Sequence, residues 1–496
     1  MRKSGVLLPV FSLPGKYGIG CFSKEAYQFV DFLEQAKQTY WQILPLGPTS
    51  YGDSPYQSFS TFAGNPYFIS LEDLIDEGLL TKEDCDKVDF GAKESEIDYG
   101  ILYQNRFQLL RIAFKNAKLE KDSEYQAFLE ENAFWIHDYA LYMSIKNYFH
   151  DVSFNEWDED IKMREPAALK MYEEKLAEDI AFYKFLQYKF FEQWKKLKAY
   201  ANQHGIKIVG DIPIYVSYDS SDAWANPELF ELDEEKELIS VAGCPPDGFT
   251  ADGQLWGNPI YRWDYHEETG FKWWKSRIAK CKELYDVIRI DHFRGFDSFY
   301  SIKAGSINAK KGVWRPGPGM KLFRALEEIT ADIEIIAEDL GFITDSVRQL
   351  VKDSGFPNMK VIEFAFDARD TGSVNDYLPH NYASNCVVYT GTHDNATLVG
   401  WLEEISGEEL KKVKEYVNCE SEDPKKLAEA LIRTAQMSVA KMCIIPLADY
   451  LMLGNKARIN RPSILGGNWM WRVDKADLND SLCEKIEKIT QIYGRA

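Results

Sequence analysis

VIRIDHFRGF, residues Val287 to Phe296, begins as an apolar run and ends in charge. Val287, Ile288 and Ile290 carry the β-branched side chains of a strand buried on both faces. Arg289 and Asp291 stand two residues apart, so strand alternation puts them on one face, where they can touch. Seven more apolar runs recur between helical stretches: Trp41 to Leu46, Tyr67 to Leu71, Ile206 to Val209, Ile333 to Ala337, Val361 to Phe364, Cys386 to Tyr389 and Met442 to Pro446. Eight runs alternating with helices predict an α/β chain folded as a closed (β/α)8 barrel. Such a barrel takes about 250 residues, and this chain has 496. The surplus falls into two gaps, so the reading is one decorated domain over residues 1–496 with no separate C-terminal β-domain.

The gap at residues 75–200 is helical by pattern. Trp135, Tyr139, Tyr142 and Phe149, and then Phe182, Leu186, Phe190, Trp194 and Leu197, recur at helix spacing, which predicts a helical insertion with an aromatic core. The gap at 217–283 holds Cys244-Pro-Pro-Asp-Gly-Phe249, Asp252-Gly253 and Gly257-Asn-Pro259. That density of turn residues predicts a loop-rich insertion, and long loops in compact domains tend to carry function. Its expected place is over the active site.

Composition excludes several classes of function. With 58 Lys and Arg against 78 Asp and Glu, the net charge of −20 repels phosphate backbones and anionic lipid, which argues against nucleic acid and membrane partners. The eight cysteines are scattered without a CxxC pair and read as reduced thiols of a cytoplasmic protein. Arg2 and Lys3 precede an apolar stretch, but Pro9 interrupts it and no small-residue cleavage pattern follows, so it does not read as a secretory signal.

Active sites of (β/α)8 barrels lie at the C-terminal strand ends. Four of the runs end there in carboxylates: Gly210-Asp211, Asp291-His292, Glu338-Asp339 and His393-Asp394-Asn395. Converging acids repel one another, a cost that makes sense for cation binding or for acid and base chemistry. The sequence has seven His, no HExxH and no calcium loop, and Arg289 would compete with a cation for Asp291, so neither a metal nor another cofactor is expected. Glycoside chemistry remains, which needs a carboxylate nucleophile and a protonated carboxyl group facing it. Asp291 alone could equally be a structural partner of Arg289 or Arg294, Glu338 a neighbour of a helix cap, and Asp394 a plain loop carboxylate. Convergence at the strand ends favours chemistry for all three.

Seven segments in order carry a resemblance: SGVLLPVFSLPGKYGIG (Ser4 to Gly20), WQILPLGPTSYGDSPYQSFSTFAGNPY (Trp41 to Tyr67), GDIPIYV (Gly210 to Val216), CPPDGFTADGQLWGNPIY (Cys244 to Tyr261), RIDHFRGF (Arg289 to Phe296), AEDLG (Ala337 to Gly341) and GTHDN (Gly391 to Asn395). Over nearly its whole length the chain resembles the 4-α-glucanotransferases of glycoside hydrolase family 77. The resemblance implies Asp291 as nucleophile, Glu338 as general acid and base, and Asp394 as transition-state stabiliser. It also implies that Arg289 orients Asp291, that His393 binds the hydroxyls of the transferred sugar, and that Tyr56 lies under that sugar with Ser54 beside it. Asp247, Gln254, Trp256 and Asn460 match substrate contacts, and Tyr51 matches a secondary glucan site. The implied partners are α-1,4-glucans and maltooligosaccharides, with glucose as an acceptor. An α-glucan hydrolase using the same carboxylates, or a glucan-binding protein without turnover, stands as the alternative. Two positions depart from the family pattern: Cys21, where Asp is frequent, and Ser463, where Gly is common.

Overall fold

A computed structural model of the chain describes residues 2–50, 52–246, 251–341, 343–366, 374–464 and 466–496. Twelve strands form two sheets among these residues: β1 (Lys3–Leu7), β2 (Tyr40–Gln42), β3 (Lys207–Pro213), β4 (Ser240–Cys244), β5 (Gln254–Pro259), β6 (Val287–Asp291), β7 (Ser298–Lys303), β8 (Gly312–Pro316), β9 (Glu334–Ala337), β10 (Asn358–Val361), β11 (Cys386–Tyr389) and β12 (Met442–Pro446). Eight of them close into a parallel barrel in the order β1-β12-β11-β10-β9-β6-β3-β2. The strands are buried because both faces are covered, the inner by the barrel core and the outer by helices such as Lys24–Gln35, Ala177–Gln203, Lys272–Leu284 and Pro424–Met437. Between β10 and β11 the described helix is only Val374–Tyr377.

The expected barrel is present, with two of its strands placed differently. Tyr67 to Leu71 is not a strand. Pro66 starts a 3₁₀ turn whose Tyr67 N–H is accepted by the Asn65 side chain at 3.0 Å, and Ser70 caps the following helix by accepting from Asp73 N–H at 3.1 Å. The apolar run is therefore a junction between two capped turns, which Asn-Pro and Ser-x-x-Asp signal. The missing strand is β1, in the stretch weighed as a leader. It pairs with β2 on one side and β12 on the other, joining the two ends of the chain. Gly5 permits that closure: a Cβ there would fall 2.5 Å from Tyr40 Cβ. At the sixth barrel position the strand is Asn358–Val361, and Glu363–Phe366 has already turned into 3₁₀ structure.

The residues between β2 and β3 are mainly helical, with Tyr99–Asn116, Ile136–Tyr148 and Ala177–Gln203 the long elements. Aromatic pairs such as Phe114 with Phe182 and Tyr139 with Tyr183 join them. The stretch from 217 to 283 is more regular than its turn residues suggest. It supplies β4, β5 and the helix Lys272–Leu284. β4 and β5 join β7 and β8, which follow β6, in an antiparallel sheet of order β5-β4-β7-β8. The turn signals mark the connections; β5 pairs with the nearby β4, while the second partner of β4, β7, comes from the next barrel unit about 60 residues away, where local pattern cannot show it. No described helix is long and apolar enough to cross a membrane.

Candidate active site

Pairing of β3 with β6 sets Asp211 beside Arg289 and Pro213 beside Asp291, and pairing of β6 with β9 sets Ile290 beside Ala337. The carboxylates at the ends of these three neighbouring strands therefore gather at one side of the mouth. Gly210 makes the approach possible, since a Cβ there would fall 2.1 Å from the Tyr285 ring.

Arg289 organises this side. Its Nη1 donates to both oxygens of Asp211 at 2.7 Å and to Asp291 Oδ1 at 3.0 Å. Asp211 is fully buried and Arg289 nearly so, where charges persist only in pairs with satisfied hydrogen bonds. The Tyr56 hydroxyl adds a further donor to Asp211 Oδ2 at 2.9 Å. The pair thus forms a fixed base from which one guanidinium nitrogen reaches the half-buried Asp291. Removing the hydroxyl in Tyr56→Phe should cost about 1–2 kcal/mol of stability, since a donor to a buried charge is lost while Arg289 remains. Urea unfolding measures this; an unchanged midpoint would show that the bond contributes nothing net.

Glu338 directly follows β9. Its Oε2 accepts from His292 N–H at 2.6 Å and its Oε1 from Leu340 N–H at 2.8 Å. Burial, and then the charge of Asp291, push its carboxyl up to about 7, with Arg289 and the two N–H donors opposing. Asp394 behaves oppositely. Burial works against its charge, but His393, with Nε2 3.3 Å from Oδ2, and Asn460, whose Nδ2 donates to Oδ1 at 2.6 Å, bring it down to about 2. One carboxyl group can carry a proton at neutral pH while another stays charged, the division of labour that acid and base chemistry on a neutral substrate requires.

Aromatic rings line the other side. Tyr56 stacks on His393 with centroids 5.0 Å apart and 20° between planes, and Trp469 lies 5.9 Å from Tyr56. Ser54 supports the platform by accepting from Tyr56 N–H at 3.3 Å. On β5, Trp256 Nε1 donates to Gln254 Oε1 at 3.0 Å, and the Trp256 ring stands edge-on to His292 at 4.8 Å. β5 thus reaches the residue next to Asp291. Asn460 is tied into the same cluster through His393, whose carbonyl accepts its N–H at 3.1 Å. Ser463 adopts φ 65°, the left-handed conformation that glycine takes without strain. Cys21 is buried, with the fully buried Arg106 favouring its thiolate against the effect of burial. Asp247 and Tyr51 lie outside the described residues.

Sequence reasoning left Asp211, Trp469 and His292 without a role. Asp211 was visible as a strand-end acid, but its partnership with Arg289 spans 78 positions. No local signal marks Trp469.

The profile of a glycoside hydrolase family described as 4-alpha-glucanotransferase, family 77, matches residues 8–478. This chain belongs to that family. The 4-alpha-glucanotransferase of Clostridium butyricum is 50% identical over 488 residues, covering 98% of this chain and 99% of its own. That of Thermus thermophilus is 44% identical, covering 100% and 99%. Among solved structures, an amylomaltase from Streptococcus agalactiae in complex with acarbose superposes with a TM-score of 0.96 at 43% identity, both chains covered in full. Amylomaltase from Corynebacterium glutamicum, at 18% identity, a TM-score of 0.78 and coverage of 100% and 75%, shares the fold. The chain is a 4-α-glucanotransferase of a family that acts on α-1,4-glucans, and its fold is the barrel its sequence predicts.

Proposed function

We propose that the enzyme moves α-1,4-glucan segments by retaining double displacement, with Asp291 as nucleophile, Glu338 as general acid and base and Asp394 as transition-state stabiliser. A carboxylate oxygen of Asp291 attacks the anomeric carbon while the Glu338 proton passes to the departing O4, which leaves as the free 4-hydroxyl of the shortened chain. The product of this step is a β-linked glycosyl ester. The 4-hydroxyl of an acceptor glucan or of glucose then loses its proton to Glu338 and attacks the same carbon, and the Asp291 carboxylate departs. Two inversions restore the α-linkage.

The observation that carries this reading is Glu338: a half-buried carboxyl group held up to about 7 by desolvation and by the adjacent Asp291. A carboxyl group in that range can give a proton in the first step and take one in the second. Asp394, brought down to about 2, supplies the fixed charge that favours positive character on the sugar ring. Tyr56, stacked on His393, supports the sugar being transferred, and His393 and Asn460 bind its hydroxyls. Gln254 and Trp256 contact the acceptor side, Asp247 belongs with them, and Tyr51 is assigned to a secondary glucan site. Maltooligosaccharides released from starch or glycogen are the donors we assign. The scattered thiols, with no disulfide among the described residues, support a cytoplasmic setting.

Maltotriose tests the reaction type. Incubation should yield glucose and a ladder of longer chains at a constant number of reducing ends; a rise in reducing ends matching substrate consumption would make the enzyme a hydrolase. The pH profile tests the acid. Because Glu338 must be protonated for the first step and its carboxyl lies at about 7, kcat/KM for maltotriose should fall about tenfold per pH unit above that point. A profile flat to pH 9 would remove Glu338 from the role.

A further inference from the structure

His292 follows the nucleophile and occupies the left-handed region, φ 54° and ψ 48°, which residues with a Cβ avoid. Two successive N–H groups there find one neighbour: His292 N–H donates to Glu338 Oε2 at 2.6 Å, and Phe293 N–H donates to the Glu338 carbonyl at 2.9 Å. Consecutive N–H groups around a left-handed residue form a concave seat for an anion. The turn sets one N–H on the Glu338 carboxyl group and the next on its backbone carbonyl only while His292 keeps this conformation.

The imidazole is fenced on three sides. Trp256 stands edge-on at 4.8 Å and 84°, Tyr215 lies 6.4 Å away, and the ring packs so close to Gly295 that a Cβ there would come within 3.2 Å of its Cδ2. The charged groups facing it are Asp291 and Arg294; burial outweighs Asp291 and lowers the imidazole to about 4. It is therefore neutral at pH 7 and adds no positive charge beside a carbon that develops one. Ring and backbone of one residue thus touch opposite halves of the site.

We propose that His292 is a positioning residue that transmits acceptor docking on Trp256 to the hydrogen bond orienting Glu338. This rests on the assignment of Glu338 as acid and base and of Trp256 to the acceptor side. A sugar packed on Trp256 presses the indole against the imidazole, which Tyr215 and Gly295 border on its other sides, and the backbone turn beneath is held with its N–H on Glu338. Without a sugar on Trp256 that pressure is absent, and the aim of the base at water rests on the hydrogen bonds from His292 N–H and Leu340 N–H alone. The coupling thereby favours transfer over hydrolysis at the moment the glycosyl ester is resolved.

The test compares His292→Asn, His292→Ala, Trp256→Ala and the double variant His292→Asn/Trp256→Ala on maltotriose. Readouts are the ratio of transfer to hydrolysis, the alkaline limb of kcat/KM, and Tm as a check of folding. Asparagine tolerates the left-handed conformation, so His292→Asn keeps the N–H seat and loses only the ring. Its transfer-to-hydrolysis ratio should fall as far as that of Trp256→Ala, and the double variant should add less than about twofold to either, as coupled residues do. Alanine does not favour the turn. His292→Ala should lose about tenfold more kcat/KM than His292→Asn, with its alkaline limb moved to higher pH because the Glu338 carboxylate has lost a donor. Multiplying effects in the double variant, or the same alkaline limb for Ala and Asn, would overturn the coupling. Full transfer by Glu338→Gln would instead remove the acid and base assignment on which it rests.

Discussion

Asp291→Asn is expected to reduce maltotriose disproportionation by at least about 10⁴-fold, because an amide does not form the glycosyl ester through which both half-reactions run. The structure separates this chemical loss from a folding defect. Arg289, which donates to Asp291, also contacts both oxygens of Asp211 at 2.7 Å, so the guanidinium stays anchored without the Asp291 carboxylate. Tm should accordingly change by only a few degrees. An activated fluorosugar donor that stalls the second step should label the wild-type enzyme covalently, seen by mass spectrometry, and leave Asp291→Asn unlabelled. Near-wild-type turnover in the variant would place the nucleophile elsewhere.

Glu338→Gln carries the second large effect. Without a proton to give, turnover of maltotriose should fall by about 10²–10⁴. A donor with a fluoride leaving group needs no proton in the first step, so its loss should be smaller, confined to activation of the acceptor. Equal loss with both donors would mean that Glu338 serves geometry rather than proton transfer. Stability supplies an independent check. The folded carboxyl lies at about 7 against the ordinary glutamate value of 4.5, so the folded state holds the proton more tightly than the unfolded chain. Wild-type stability from this group is complete below about pH 4.5 and declines as pH rises through about 7. Glutamine does not ionise, but its amide nitrogen faces one of the two N–H donors now bound to the carboxylate, a penalty independent of pH. The variant should therefore be the less stable at pH 5 and gain on wild type by on the order of 2 kcal/mol by pH 8. Denaturant unfolding at the two pH values reads the difference.

The sequence reading and the structure part at two kinds of place, one local and one long-range. Tyr67 to Leu71 has the apolar density of a strand, yet Pro66 and Ser70 cap turns on either side; composition outweighed punctuation. β1 was passed over because five residues near the N-terminus acquire meaning only from β2 and β12, the latter more than 400 positions away. β4 and β5 lie among turn residues, and the sheet they join is completed by β7 and β8 of the next barrel unit through the β4–β7 pairing. For β1 and for the β4–β7 pairing the deciding contact lies outside any local window, whereas at Tyr67 to Leu71 it lies within three residues.

What the sequence determined by itself was the barrel and the positions of its acids. Both follow from short-range rules: apolar runs at strand length, helical spacing between them, and period-2 alternation that puts Arg289 and Asp291 on one face. What only the tertiary structure decided was the state and aim of each group. Asp211 meets Arg289 across two strands, Asn460 reaches Asp394 from a loop 66 residues on, and the backbone turn at His292 seats Glu338. The physical reason is that protonation depends on burial and on the charges within a few ångströms. Those distances exist only once the barrel has closed.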